Sequence, residues 1–180
     1  MSQQRTSGIA SLSGGETSAS RDANLTDVQS VSFREMLPAD LPEVLRVEKN
    51  CYDFPWSEKI FLDCLNAGYL CFVAHTGTRQ LLGHGILMLG PGEAHVLNLC
   101  VQTSMRRKGV ARMFLRHLTD VARQHQAKEV FLEVRESNVA AIKLYESAGF
   151  NRFSVRRGYY DSDVNSSGRE DAMNYALTIC

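Results

Sequence analysis

The stretch that decides the fold is RRKGVAR, residues 106–112. It lies between an apolar segment, Ala94 to Val101, and a run whose apolar residues recur at helical spacing. The apolar segment Val130 to Val134 comes next. A strand, a helix and a second strand in this order imply a right-handed crossover between parallel strands. The stretch therefore predicts a helix that packs on a sheet with a parallel pair.

The segments upstream of this unit predict two helices and more strands. A short strand should begin at Val31, Asp40 should cap a first helix and Ser57 a second. Three apolar segments separated by turn residues predict an antiparallel meander: Tyr69 to His75, Leu81 to Leu89 and Ala94 to Val101.

Downstream, a helix over residues 138–148 should stop at Gly149, and two further strands should cover residues 150–157 and 172–179. The expected fold class is α/β, a mixed sheet of about six to seven strands with about four helices on its faces. We expect residues 31–180 to form a single domain. The Ser-, Thr- and Gly-rich residues 1–30 carry few apolar side chains and predict a disordered tail.

Composition excludes several classes of protein. The 180 residues are 44% hydrophobic and carry a formal net charge of zero, which argues against a general nucleic-acid binder. No apolar run approaches the roughly 20 residues of a membrane span, and no signal peptide is evident, so we expect a soluble, cytoplasmic protein. The five cysteines include no Cys-x-x-Cys pair and predict reduced thiols, and the five histidines lack metal-site spacing, so no metal is expected.

The basic turn before the long helix predicts an anion site. Gly109 and Ala111 remove side-chain bulk where the unpaired N–H groups of a helix begin, and four basic side chains surround them. The ligand that fits this chemistry is a pyrophosphate. Taken alone, the turn is a weak signal and is better explained as a solvated helix start.

The surrounding residues supply a resemblance. Arg106-x-x-Gly109-x-Ala111 after a strand resembles the acyl-coenzyme A pyrophosphate loop of the GNAT N-acetyltransferase superfamily. Three more segments are similar to the ribosomal-protein-alanine N-acetyltransferases within it: FPWS at 54–57, EVRESNVAAIKLYESAGF at 133–150 and RRGYY at 156–160. The likeness covers about residues 31 to 180. A loop over residues 161–168 departs from it, with Asp161 where that subfamily has proline, which bears on substrate choice.

The resemblance implies transfer of acetyl from acetyl-CoA, the co-substrate, to a protein N-terminal amine in a ternary complex without an acyl-enzyme. The implied partner is the N-terminal alanine of the eighteenth small-subunit ribosomal protein. Other protein N-termini, lysines or small amines are alternatives, and so is an acetyl-CoA-binding interaction module without turnover.

The resemblance also assigns roles to residues. It makes Glu133 the general base and Tyr145 the general acid. A solvated strand carboxylate and core packing are the structural alternatives for these two. Residues expected to contact the coenzyme are Leu99, Cys100, Val101, Arg106, Arg107, Lys108, Gly109, Val110, Ala111, Arg112 and Asn138, the last of which also suits a helix N-cap. Four aromatic residues are expected to line the peptide groove: Phe54, Trp56, Tyr159 and Tyr160.

Overall fold

The computed structural model describes residues 31–77, 79–161 and 168–179; the predicted tail and most of the 161–168 loop lie outside the described residues. The described part forms one seven-stranded sheet with four α-helices, which confirms the expected fold class. The elements in chain order are β1 Ser32–Glu35, α1 Leu41–Cys51, α2 Glu58–Asn66, β2 Leu70–His75, β3 Leu81–Gly90, β4 Glu93–Val101, α3 Val110–Gln124, β5 Glu129–Arg135, α4 Val139–Ser147, β6 Asn151–Asp161 and β7 Arg169–Thr178.

The sheet is mixed, with strand order β1-β2-β3-β4-β5-β7-β6. Strands β1 to β4 form an antiparallel meander, and β5, β7 and β6 form a second antiparallel set. The two sets join through the parallel pairing of β4 with β5, connected by α3. The crossover predicted around residues 106–112 is therefore confirmed.

Two hydrophobic clusters cover the two faces of the sheet. Alternate residues of β2 show the division, since Phe72 and Ala74 belong to one cluster whereas Cys71 and Val73 belong to the other. Helices α3 and α4 pack against the first cluster, and α1 and α2 against the second. The sheet is thus the middle layer of a three-layer structure.

A β-bulge opens the middle of the sheet. Ile86 pairs with Asn98 but Leu87 pairs with Val96, so Leu97 is an extra residue in β4. Beyond this point β4 and β5 no longer pair, since their ladder ends at Val96 and Leu132. A bulge bends its strand, and the C-terminal halves of the two parallel strands enclose a cleft.

Several boundaries differ from the sequence predictions. Ser57 caps α2 as expected, with its Oγ accepting from the N–H of Ile60 at 3.4 Å. Asp40 is the N-cap residue of α1 as predicted, but its side chain makes no capping hydrogen bond to that helix. Its carboxylate instead accepts the N–H of Leu37 at 2.8 Å and pairs with Arg34 at 2.7 Å, stabilising a preceding 3₁₀ turn. Strand β6 continues to Asp161 because β7 starts early enough to pair with it. Within the described ranges, no helix is long and apolar enough to cross a membrane.

Candidate functional site

A cavity of about 950 Å³ occupies the cleft between β4 and β5. Four of its sides come from the C-terminal end of α1, the end of β4, the start of α3 and one face of α4. Its lining includes most of the residues predicted to contact a coenzyme: Leu99, Cys100, Val101, Arg106, Arg107, Gly109, Ala111, Arg112 and Asn138.

The α3 end of the cavity is suited to an anion. Gly109 has a φ of +84°, which a side chain would strain, and the first helical hydrogen bond runs from the Met113 N–H to its carbonyl at 3.0 Å. The amides of the first turn therefore have no helical acceptor. Arg106, Arg107 and Arg112 line this end and add positive charge.

Two residues predicted to contact the coenzyme, Val110 and Lys108, do not line the cavity. The Val110 side chain is buried in the core beneath α3, so only its backbone can face a ligand. The Lys108 ammonium lies 3.8 Å from the Met105 sulfur, and its side chain is outside the cavity lining.

The β4 edge of the cavity is held by two residues at the end of α1. The Tyr52 hydroxyl donates to the Leu99 carbonyl at 2.9 Å, and the Cys51 sulfur lies 3.3 Å from the Val101 carbonyl. Burial raises the pKa of Tyr52 well above its usual value, so the phenol stays neutral. Neither residue was predicted from the sequence to line the site, because their role follows from the position of α1 over β4.

Tyr145 lines the cavity from α4 and is 8% exposed. Burial, with a smaller contribution from Tyr160, raises its pKa to about 12. Asn138 begins the same helix: its Oδ1 accepts from the Ala141 N–H at 3.1 Å, and it also lines the cavity. Asn138 therefore caps α4 and lines the cavity at the same time. Tyr145 likewise packs in the core and also lines the cavity.

Glu133 lies on the other face of β5 from the buried Val130, Leu132 and Val134. Its carboxylate is exposed, accepts from the Arg156 guanidinium at 2.8 Å and is not part of the cavity lining. The structure therefore brings Tyr145 to the cavity but holds Glu133 beside it, on β5.

Arg135, two residues after Glu133, joins the two predicted walls of a peptide groove. Its guanidinium lies 5.3 Å from the ring centroid of Phe54 and 4.2 Å from that of Tyr160. It also pairs with Glu170 at 3.1 Å. The Arg135 side chain thus connects the loop after α1 to the β6–β7 hairpin. No role was predicted for this residue from the sequence.

The other two predicted groove residues have different surroundings. Tyr159 is exposed and carries the Arg156 guanidinium 3.8 Å from its ring centroid. Trp56 packs on Phe61 with ring centroids 5.5 Å apart, and it does not line the cavity.

A buried polar network lies under the loop that follows α1. The Glu48 carboxylate accepts from the Trp56 N–H at 3.0 Å and from Asn98 Nδ2 at 3.2 Å, and it lies 3.0 Å from His84 Nε2. Donor atoms of Glu48, His84 and Cys100 lie within 4.8 Å of one another, a group that could hold a metal ion. Three hydrogen bonds already account for the burial of the carboxylate, and the absence of a metal stays a prediction.

Known proteins are similar to this chain in sequence and in structure. Residues 33–150 match the model of the acetyltransferase (GNAT) family. Over 140 residues the chain is 39% identical to the "[Ribosomal protein bS18]-alanine N-acetyltransferase" of Escherichia coli, covering 78% of this chain and 92% of that protein. It is 34% identical over 140 residues to the N-alpha-acetyltransferase RimI of Mycobacterium tuberculosis, covering 74% and 87%.

The crystal structure of the ribosomal-protein-S18-alanine N-acetyltransferase from Escherichia coli superposes with a TM-score of 0.75 at 36% identity, over 83% of this chain and 94% of that one. The described cleft between two parallel strands lies inside the matched region. The chain belongs to the GNAT acetyltransferase family, and it is an enzyme whose acetyl donor is acetyl-CoA.

Proposed function

We propose that the chain acetylates the N-terminal alanine of ribosomal protein bS18, by direct attack of the free amine on acetyl-CoA. The observation that carries this proposal is 39% identity to the Escherichia coli enzyme of that name across 92% of its length. The order of elements around the cleft supports it, because the aromatic loop after α1 and the β6–β7 hairpin flank β5 as walls of a groove.

The chemistry favours an N-terminal amine over a lysine. An N-terminal ammonium has a pKa of about 7.7–8.0, so freeing its lone pair at pH 7 costs about 1 kcal/mol. A lysine with a pKa of about 10.4 would cost about 4.6 kcal/mol. Among the described residues Glu48 is the one buried carboxylate, it does not line the cavity, and its oxygens are already occupied by three donors. A weak base is enough only for the first substrate.

In this proposal Glu133 takes the proton of the amine, directly or through one water. Arg156 donates to the Glu133 carboxylate at 2.8 Å and holds it in place. A cationic amine that approaches Glu133 must compete with Arg156 for the same carboxylate oxygen atoms. The ion pair is half exposed, and its disruption on substrate binding therefore costs little.

Tyr145 is proposed to donate a hydrogen bond to the coenzyme sulfur as the thiolate leaves. Its hydroxyl is protonated at neutral pH, because burial raises its pKa to about 12. The diphosphate would bind at the start of α3, where Arg106, Arg107 and Arg112 meet the free amides. Acetyl transfer then needs no acyl-enzyme, and no cysteine acts as a nucleophile in the main reaction.

Mass spectrometry of peptides incubated with acetyl-CoA tests the substrate. We expect a single acetyl group on the α-amine of a peptide with the bS18 N-terminus. We expect no acetyl group on the same peptide when its N-terminus is blocked and it contains an internal lysine. Labelling of lysines or small amines at equal rates would refute the proposed specificity. Labelling of unrelated N-termini at equal rates would reduce the function to a general N-terminal acetyltransferase.

The Glu133→Gln variant tests the base. Turnover should fall most at low pH, where the free amine is scarce, and recover in part above about pH 8. Glu129→Gln is the matched control, because Glu129 is exposed on the same face of β5. An equal loss at every pH, or an equal effect of the control, would exclude Glu133 as the base.

A further inference from the structure

The Glu170 carboxylate joins three segments that surround the acetyl-CoA cavity. Glu170 lies at the start of β7 and lines the cavity together with Arg135, at the end of β5, and Ser137, in the turn before α4. Its Oε2 accepts from the Arg135 guanidinium at 3.1 Å, and its Oε1 accepts from the Ser137 backbone N–H at 2.6 Å. The Arg135 and Glu170 side chains are 28% and 16% exposed. Both carboxylate oxygens are therefore engaged in contacts that are largely withdrawn from solvent.

The contact with the backbone fixes the direction of the carboxylate. Ser137 comes immediately before Asn138, the N-cap of α4, so its N–H cannot turn away without moving the start of that helix. Burial alone would raise the pKa of Glu170, but the hydrogen bonds from Ser137 and Arg135 outweigh it and hold the pKa below its usual value. Glu170 is therefore a fixed, charged acceptor and is poorly suited to take a proton from the substrate.

Arg135 carries the influence of Glu170 to the walls of the peptide groove. Its guanidinium lies 5.3 Å from the ring centroid of Phe54 and 4.2 Å from that of Tyr160, and it donates to the Asp161 carbonyl at 3.0 Å. We call this contact of Arg135 with Phe54 and Tyr160 the clamp. A guanidinium is planar, so its orientation determines whether it can stack on both rings. The Glu170 carboxylate holds one edge of that plane.

We propose that Glu170 is a positioning residue for the peptide substrate, which acts by holding the Arg135 clamp. Through the clamp it keeps the loop after α1 and the β6–β7 hairpin at the spacing that receives the N-terminal residue. The carboxylate also balances the charge of Arg135, which would otherwise disfavour a cationic N-terminus. The inference rests on the proposed function, because it takes this groove to be the peptide site. The effect is on peptide binding, since both Glu170 oxygens are bound to protein donors and no proton moves.

Steady-state kinetics of the Glu170→Gln variant test this role. The amide has one oxygen, so either the Ser137 N–H or the Arg135 guanidinium faces an NH₂ group, and Arg135 loses its charged partner in both orientations. We expect the Michaelis constant for a peptide with the bS18 N-terminus to rise about tenfold. The turnover number and the Michaelis constant for acetyl-CoA should each change by less than about twofold.

Glu136→Gln is the matched control, because Glu136 is exposed in the same turn as Ser137. Its kinetic constants should equal those of the parent. An unaltered peptide Michaelis constant in Glu170→Gln, or an equal rise in the control, would overturn the proposal. A large fall in turnover at saturating peptide would also overturn it, because Glu170 would then act in the chemical step.

A double-mutant cycle shows whether Glu170 acts through Arg135. Arg135→Met keeps a long side chain but removes the guanidinium, so the carboxylate then has no clamp to hold. Adding Glu170→Gln to this variant should change the peptide Michaelis constant by less than about twofold. A combined effect equal to the product of the two single effects would show that Glu170 acts independently of the clamp, contrary to the proposal.

Quenching of tryptophan fluorescence tests the clamp without any substrate. Trp56 is the single tryptophan of the chain and lies two residues after Phe54. Release of Phe54 should loosen this loop, so the acrylamide quenching constant should be larger in Glu170→Gln and Arg135→Met than in the parent or in Glu136→Gln. Equal constants in all four proteins would refute the role of Glu170. Failure of the parent to acetylate the bS18 peptide would instead refute the proposed function, and the quenching result would still decide whether Glu170 holds the clamp.

Discussion

The buried Glu48 network gives a prediction whose magnitude follows from its geometry. The carboxylate serves three donors, with Trp56 N–H and Asn98 Nδ2 on Oε1 and His84 Nε2 on Oε2. The side chain of Glu48→Gln has one oxygen and one NH₂ group in place of the two carboxylate oxygens. Only one of the two oxygen positions therefore still accepts hydrogen bonds. If the amide oxygen replaces Oε1, the new NH₂ faces His84 Nε2, whose proton must move to Nδ1. That atom is buried without a partner among the described residues.

If the amide oxygen replaces Oε2 instead, the NH₂ faces the two donors of Trp56 and Asn98. Either orientation leaves at least one buried N–H unsatisfied, which costs about 1–3 kcal/mol. For a chain of this size, each kcal/mol corresponds to about 2–4 °C, so we expect the melting temperature to fall by about 2–12 °C. The Michaelis constant for peptide should also rise, because Glu48 holds the loop that carries Phe54 and Trp56.

Thermal and urea unfolding of Glu48→Gln check this, beside the matched variant Glu43→Gln. Glu43 lies on the same helix, is exposed and forms only a surface pair with Arg46 at 3.3 Å, so its change should stay within about 0.5 kcal/mol. Equal unfolding free energies for the two variants would show that the network contributes no more than a surface carboxylate, and the reasoning would be refuted.

Two further predictions concern the cleft and the groove. A Cβ on Gly83 would clash with the backbone carbonyl of Cys100, so Gly83→Ala should lower the free energy of unfolding by about 3 kcal/mol. A urea midpoint equal to that of the parent would contradict this. Arg135→Lys keeps the charge but loses the stacking on Phe54 and Tyr160, so the peptide Michaelis constant should rise about fivefold to tenfold. Steady-state kinetics measure the change, and an unaltered constant would exclude the clamp.

Much of the fold could be predicted because local pattern and tertiary structure agree. The 3.6-residue spacing of Val110, Phe114 and Leu118 marks the face of α3 that is buried. The glycine before it has the left-handed backbone that its type permits. The parallel pairing of β4 with β5 followed from the order of a strand, a helix and a second strand along the chain.

The details that shape the cavity are not visible in the sequence. The extra residue at Leu97 has no special side chain, since a bulge is a property of two strands paired together. Tyr52 and Cys51 reach β4 only because α1 ends over it. Asp40 lies at the N-cap of α1 but does not cap it through its side chain, because the N–H of Leu37 and the Arg34 guanidinium hold its carboxylate at the preceding turn.

The environment of Tyr145 argues for a hydrogen-bond donor at the leaving sulfur rather than for full proton transfer. A thiolate whose conjugate acid resembles cysteine has a pKa of about 8.5, whereas burial raises the pKa of Tyr145 to about 12. Complete transfer is uphill by the difference, about 5 kcal/mol, while a hydrogen bond to the developing charge needs no transfer. Tyr145→Phe should therefore lower turnover and leave coenzyme binding largely intact.

The raised pKa of Tyr145 also determines how the rate should depend on pH, and a more acidic phenol gives a finer test of the role of this residue. Since the phenol stays protonated until about pH 12, the pH–rate profile should show no break from Tyr145 across the range in which the fold is stable. A fluorinated tyrosine at this position, which is more acidic, separates the two roles. If the proton moves in the transition state, turnover should rise as the phenol becomes more acidic. Because a donor that keeps its proton responds only weakly, a steep increase would refute the hydrogen-bond role.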